Sequence, residues 1–301
     1  VRFLSQSMEK MARNTGSLKP VEVVFFTYLL TTLLVILLFH SRLEFWTGQV
    51  AMRMVALILT TGFLFARQGR ITAFLRTFTP FVFLSFFYSE TALFHQLLFP
   101  DLLDHFFVDL DQAVFGFQPA IAFSRAFNYS FFSEMMFFGY FSYYVLIIAM
   151  PVYIYVRAGK SAGERFAFII INSLLIYYLL FSVFPVAGPQ YYFPPGEIQV
   201  PAGYLFEPLI RIIQGMAERP TGAFPSSHVS ICLMLVWGGI KYAGKWIYLV
   251  VPTAVLLILS TIYIGAHYAV DVIGGILVTP LMYWISDMLY NTLSRCQLKI
   301  L

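Results

Sequence analysis

Long apolar runs, separated by short polar or basic stretches, fill most of the chain, and they recur at a length suited to crossing a bilayer. A membrane helix takes about 20 mostly apolar residues. The pattern predicts eight such spans, over about 21–40, 48–66, 77–99, 133–156, 166–186, 225–240, 246–263 and 266–290. Residues 1–20, with Arg2, Lys10, Arg13 and Lys19, read as a segment on the membrane surface. The connection over 100–132 mixes phenylalanines with Asp101, Asp104, Asp109 and Asp111, a composition suited to a helix lying at the interface. A Gly/Pro-rich loop runs from Ala187 to Phe224. The fold class expected is therefore all-α, a polytopic membrane helix bundle of about eight transmembrane helices. It forms one integrated membrane domain, with N-terminal helices and an interfacial segment over 1–132 and a catalytic core over 133–301.

Composition sharpens this picture. Of 301 residues, 59% are hydrophobic and only 11% charged, where soluble domains carry about 25% charged residues. The mean hydropathy is +0.78. The net charge of +4 comes from loops, and no basic run is long enough to track a nucleic-acid backbone. Cys232 and Cys296 suggest neither a disulfide framework nor a metal-type pair. The N-terminus shows no cleavable-signal pattern, and its first span reads as retained.

Charge also orients the spans. With both termini in the cytoplasm, the basic loops (67–76, 157–165, 241–245) and the C-terminal tail with Arg295 and Lys299 all fall on the cytoplasmic side, as the positive-inside rule requires. The acidic connection and the Gly/Pro-rich loop then lie outside. His228 and His267 come out at the same level, the outer membrane edge. In a bacterium this is the inner membrane with the site facing the periplasm; in a eukaryote the site faces a lumen.

Ionisable groups are costly in hydrocarbon and commonly mark function. His267 and Asp271, four apart at the start of a helix, share one face, so the carboxylate can take the ring N–H and leave the other nitrogen as a nucleophile. Phe224-Pro225-Ser226-Ser227-His228 opens the sixth span. Proline suits a first helical turn, and the N–H groups of Ser226, Ser227 and His228 then make an anion site suited to phosphate. His228 beside that anion serves as general acid. Candidate cations are Arg219, nearer in sequence to His228, and Arg211. The stretch Gly188-Pro189-Gln190-Tyr191-Tyr192, at the outer end of the fifth span, forms a candidate pocket wall, with Gly188, Pro189 and Tyr192 as its candidate contacts. The set calls for no metal and no cofactor. Glu90 and His95 in the third span read as polar interhelix packing, with a second functional element as the alternative.

These motifs resemble the type 2 phosphatidic acid phosphatase superfamily of membrane lipid phosphatases and phosphotransferases, whose signatures are a PSGH-type motif and SRxxxxxHxxxD. Here they read Pro225-Ser226-Ser227-His228 and Ser260-Thr261 through His267 to Asp271. The resemblance implies His267 as nucleophile, Asp271 as its partner and His228 as general acid. Two features depart from the pattern. Thr261 stands where the second motif has arginine, and the KxxxxxxRP motif is not present in proper form, since Arg211 to Arg219-Pro220 has one residue too many and lies too close to His228. The stretches Gly222–His228 and His267–Gly275 resemble the inositol phosphorylceramide synthase branch. That branch implies transfer of a phospho-headgroup from a phospholipid such as phosphatidylinositol to a lipid alcohol such as ceramide. The alternative is a lipid phosphate or diphosphate phosphatase, with water as acceptor. A non-enzymatic transporter would spread polar residues across the bilayer, whereas these gather at one edge.

Overall fold

The computed structural model describes residues 17–99, 101–217 and 219–296. The greater part of the expected N-terminal surface segment, with Arg2, Lys10 and Arg13, lies outside the described residues, as does Lys299. Three helices lead: α1 (Pro20–Phe39), α2 (Trp46–Phe65) and α3 (Arg70–Leu98). Two short helices follow, α4 (Asp104–Phe115) and α5 (Pro119–Ala126), then the long pair α6 (Ser130–Arg157) and α7 (Lys160–Val183). The single turn α8 (Pro189–Tyr192) and the amphipathic α9 (Phe206–Ala217) occupy the Gly/Pro-rich region. The chain closes with α10 (Ser227–Tyr242), α11 (Ile247–Tyr263) and α12 (Ala269–Cys296). Among the described residues there is no strand.

Among the described residues, seven helices (α1, α2, α3, α6, α7, α11 and α12) are long and apolar enough to cross a membrane. Their outward faces are apolar: on α1, Leu30, Leu34, Leu37 and Leu38 are each at least 50% exposed. A soluble surface rarely tolerates such a stripe, but lipid does.

The sixth expected span differs from the pattern. α10 has 16 residues, short of the ~20 that a span needs. It lies inside the bundle, packed against α6, α7, α11 and α12. The chain before it enters the bundle as irregular backbone, with Ala223 N–H donating to Val186 O (2.9 Å) and Ser226 N–H to Asp271 O (3.2 Å). Irregular backbone is tolerated at membrane depth when protein surrounds it and satisfies its polar groups. For the same reason α12 begins at Ala269 rather than at 266, and His267 precedes it in a turn.

The hub is α7, which packs on α1, α3, α6, α10 and α12. Its run from Phe166 to Leu175 is almost wholly buried, which is why it reads as apolar on every side. Ion pairs fasten the N-terminal helices to each other and to this hub. Arg53 of α2 grips Glu90 of α3 through two bonds of 2.6 and 2.8 Å, both side chains buried. Arg76 of α3 donates to Glu22 of α1 at 2.6 Å. Lys19 reaches Glu164 of α7. Thus Arg76, expected in a basic loop over 67–76, is instead a buried partner within α3, because α3 starts seven residues earlier than the expected span. Glu90 takes the packing role expected of it, and His95 Nδ1 bonds Phe99 O at 2.9 Å.

Candidate functional site

The site forms where the start of α10 meets the turn between α11 and α12. Ser226 caps α10: its hydroxyl accepts the Val229 N–H (3.3 Å). Pro225 therefore lies one residue before the cap and not in the first turn as expected, joined to Phe224 by a cis peptide. With the Ser226 N–H taken by Asp271 O, Ser227 and His228 provide the first-turn N–H groups that helix geometry leaves without an intrahelical partner. α10 and α12 approach closely here. A Cβ on Gly275 would stand 2.6 Å from Ser226 O, so only glycine fits.

His267 is held from both sides. Its backbone N–H donates to Thr261 O (3.0 Å). Thr261 occupies the place of the motif's arginine, and its fully buried hydroxyl bonds Ile258 O within its own helix. The imidazole Nδ1 lies 2.8 Å from Ala223 O and 3.7 Å from Asp271 Oδ2. A carbonyl only accepts, so Nδ1 carries a proton, and in the neutral ring the bare nitrogen is Nε2. The expected ring-to-carboxylate bond is therefore made to Ala223 O in this structure, since 3.7 Å is beyond hydrogen-bonding range. Asp271 Oδ2 accepts the Tyr268 N–H at 2.8 Å, while its buried Oδ1 has no hydrogen-bond partner.

The bare Nε2 faces Ser226 Oγ at 3.1 Å and His228 Nδ1 at 3.3 Å. The two histidines and Ser226 thus meet, as the motif spacing predicts. The His228 ring packs against Tyr140 (centroids 5.0 Å apart) and Tyr143 (4.4 Å), both on α6. Ser227 is buried and faces a separate apolar cavity that also touches His228.

A narrow cleft opens over the rings. Arg219 is the one cation among the residues lining it, together with Gln190, Tyr191 and Thr221. The Thr221 hydroxyl is buried there without a partner. Arg211 is elsewhere: on α9 it pairs with Glu207 at 2.7 Å and covers the Phe137 ring. Gly188 sits behind the cleft at φ +100°, where a Cβ would strike Ala266 O at 2.5 Å. Pro189 is buried at the start of α8 and Tyr192 is 45% exposed; neither lines the cleft, whereas their neighbours Gln190 and Tyr191 do.

Two carboxylates on α4 brace the site. Asp104 accepts the N–H groups of Ala187 and Gly188 (2.8 Å each) and the Tyr268 hydroxyl (2.9 Å). Asp111 accepts the N–H groups of Ala269 (3.1 Å) and Val270 (3.0 Å) at the start of α12, where helix geometry favours an anion. Burial pushes the Asp111 carboxyl above its ordinary value, and the two N–H groups pull it back. Composition alone places these residues, with Asp101 and Asp109, in an acidic helix lying at the interface. The overlooked signal is spacing: Asp104, Phe107 and Asp111 share one helical face and are buried, while Asp101 and Asp109 are exposed.

Comparison with known proteins gives a family match. A model of the PAP2 superfamily, the phosphatidic acid phosphatase family of the resemblance above, covers residues 105–285, more than half of the chain. No curated protein matches the chain. No solved structure matches it.

Proposed function

The chain belongs to the PAP2 superfamily, and on that premise we propose that it is an integral-membrane lipid phosphotransferase working through a phosphohistidine. Family membership supports a lipid phosphatase or phosphotransferase type of function. The observation that carries the mechanism is the 2.8 Å contact from His267 Nδ1 to Ala223 O, which leaves Nε2 as an unprotonated nucleophile. Nε2 attacks phosphorus; the bond to the leaving lipid oxygen breaks, and His228 supplies the proton that this oxygen takes. In the second half, an acceptor hydroxyl returns a proton to His228 as its oxygen displaces Nε2. Arg219, the Thr221 hydroxyl, Ser226 and the first-turn N–H groups of α10 stabilise charge on the phosphoryl oxygens. Asp271, close behind the ring, offsets the positive charge that develops on it. These residues perform the steps without a metal.

The motif stretches support the inositol phosphorylceramide synthase-like branch, with a phospholipid such as phosphatidylinositol as donor and ceramide as acceptor. A hydrolytic reading shares every step up to the phosphohistidine. It is favoured by the exposure of Arg219, which opens the cleft rim to water. The orientation proposed puts the site at the non-cytoplasmic face and both termini in the cytoplasm. His228 lies at the start of α10 and Lys241 at its end, so the histidines and the basic turn with Lys245 occupy opposite ends of one helix.

The decisive experiment incubates the purified protein with headgroup-labelled phosphatidylinositol, with and without ceramide. Label in a new sphingolipid only when ceramide is present supports the transferase. Ceramide-indifferent release of phosphate from lipid phosphates supports the phosphatase. An acid-labile adduct on the wild-type chain that is missing in His267→Ala supports the intermediate in either case.

A further inference from the structure

A cavity of about 270 Å³ lies beside the catalytic cleft, walled by α3, α6, α7 and the first turn of α10. His228 and Ser227 of α10, both buried, line it. Leu84, Tyr144, Leu174 and Tyr178 make its walls. Its outer end carries Ser85 and Ile148, both exposed on the faces of membrane-spanning helices. The opening arises from packing: α3 and α6 each pack on α7 but make hardly any contact with one another. A slot therefore runs from the lipid phase to the proposed acid.

We propose that this cavity holds an acyl chain of the lipid substrate, entering sideways from the bilayer between α3 and α6. The proposal rests on the phosphotransfer reading above and adds where the tail lies. Three observations support it. The lining is almost entirely aliphatic and aromatic, as an alkyl chain requires. His228 and Tyr88 line both the cavity and the cleft, so the two adjoin at the proposed acid, and one molecule placing its phosphate over His267 has its chain beside the slot. The mouth meets the hydrocarbon, so the chain never crosses water. One wall belongs to α3, which precedes residues 105–285 of the family match. Selection among lipids by chain length or saturation is thereby assigned to a helix outside that match, through Leu84, Ser85 and Tyr88.

The test uses the full chain in detergent–lipid micelles and a phosphatidic acid bearing a diazirine midway along one acyl chain. Irradiation is expected to place adducts on the cavity-lining residues Leu84, Ser85, Tyr88, Tyr144 and Ile147, competed by unlabelled phosphatidic acid. Ser85→Trp, which fills the mouth, is expected to reduce those adducts at least severalfold. It should also lower the ratio of long-chain to short-chain turnover about tenfold, the effect of roughly two methylenes denied burial. Ile147→Trp fills the same slot from α6 and provides a second variant should the first fail to fold. Adducts confined to outward lipid-facing positions such as Val82, unchanged in both folded variants, would overturn the proposal. Crosslinking needs no turnover, so the two readings can fail separately. Specific adducts in a protein that turns over no lipid phosphate would sink the phosphotransfer reading and leave the tail site standing.

Discussion

The imidazole of His267 is held by the backbone carbonyl of Ala223, 2.8 Å from Nδ1. That bond fixes the tautomer from a buried stretch of loop, which is itself tied to Val186 by the Ala223 N–H. Asp271 stands 3.7 Å from the same nitrogen, so the task proposed for it is electrostatic more than orienting. His267→Ala is expected to abolish turnover in a protein that still folds. Asp271→Asn keeps the shape and the Ala223 bond but removes the charge, and should lower kcat by about 10²–10⁴ with KM little changed, the range general acid–base groups contribute. Steady-state kinetics on a lipid phosphate decide this; wild-type kcat in the Asp271→Asn variant would refute the role.

His228 as general acid matters only while the leaving oxygen needs a proton. His228→Gln should slow a lipid alkoxide leaving group by about 10²–10⁴, yet be far milder with a nitrophenyl phosphate, whose leaving group departs as an anion. Equal losses on both substrates would assign His228 to binding instead.

Arg219 and Arg211 separate by position. Arg219 lines the cleft, and Arg219→Ala should reduce kcat/KM by about tenfold or more, the loss of a charge-assisted hydrogen bond. Arg211 spends its charge on Glu207 at an exposed position. Arg211→Ala should change activity little and stability by ~1 kcal/mol at most. The reverse ranking in a parallel assay would remove Arg219 from the site.

Asp104 gathers three donors from two different loops. Asp104→Ala leaves them buried and unpaired, at about 1–3 kcal/mol for each unsatisfied group. A lower Tm and a fall in kcat are expected together, because Gly188 and Tyr268 both adjoin the His267 turn. Tyr268→Phe removes one donor and should show a smaller effect in both readouts. A Tm for Asp104→Ala within error of wild type would contradict this bracing role.

Arg53 and Glu90 are buried against each other. Removing one partner, as in Glu90→Leu, should cost about 3–5 kcal/mol. The double variant Arg53→Met with Glu90→Leu should recover most of that, because paired apolar side chains leave no lone charge. Thermal unfolding of the two singles and the double gives the coupling, and additive losses would show the pair to be independent.

The sequence by itself determined where seven helices of membrane length lie and that His228 and His267 meet. Hydrocarbon admits almost only helices and closed barrels, so apolar runs of span length translate directly into α1, α2, α3, α6, α7, α11 and α12. A short motif with a histidine at each of two helix starts translates into one histidine pair. The tertiary structure decided what composition cannot encode. Its carbonyls carry no residue signature, so the role of Ala223 in setting the tautomer was invisible beside the more conspicuous Asp271. Asp104 and Asp111 brace the site only because α4 folds back over the loops. α10 can be 16 residues long because its first turns, Ser227 to Leu235, are almost wholly buried among other helices and its entry is made by irregular backbone that protein surrounds. The slot from the bilayer to His228 exists because α3 and α6 lean on α7 without closing on each other, a relation between faces that no single stretch of chain contains.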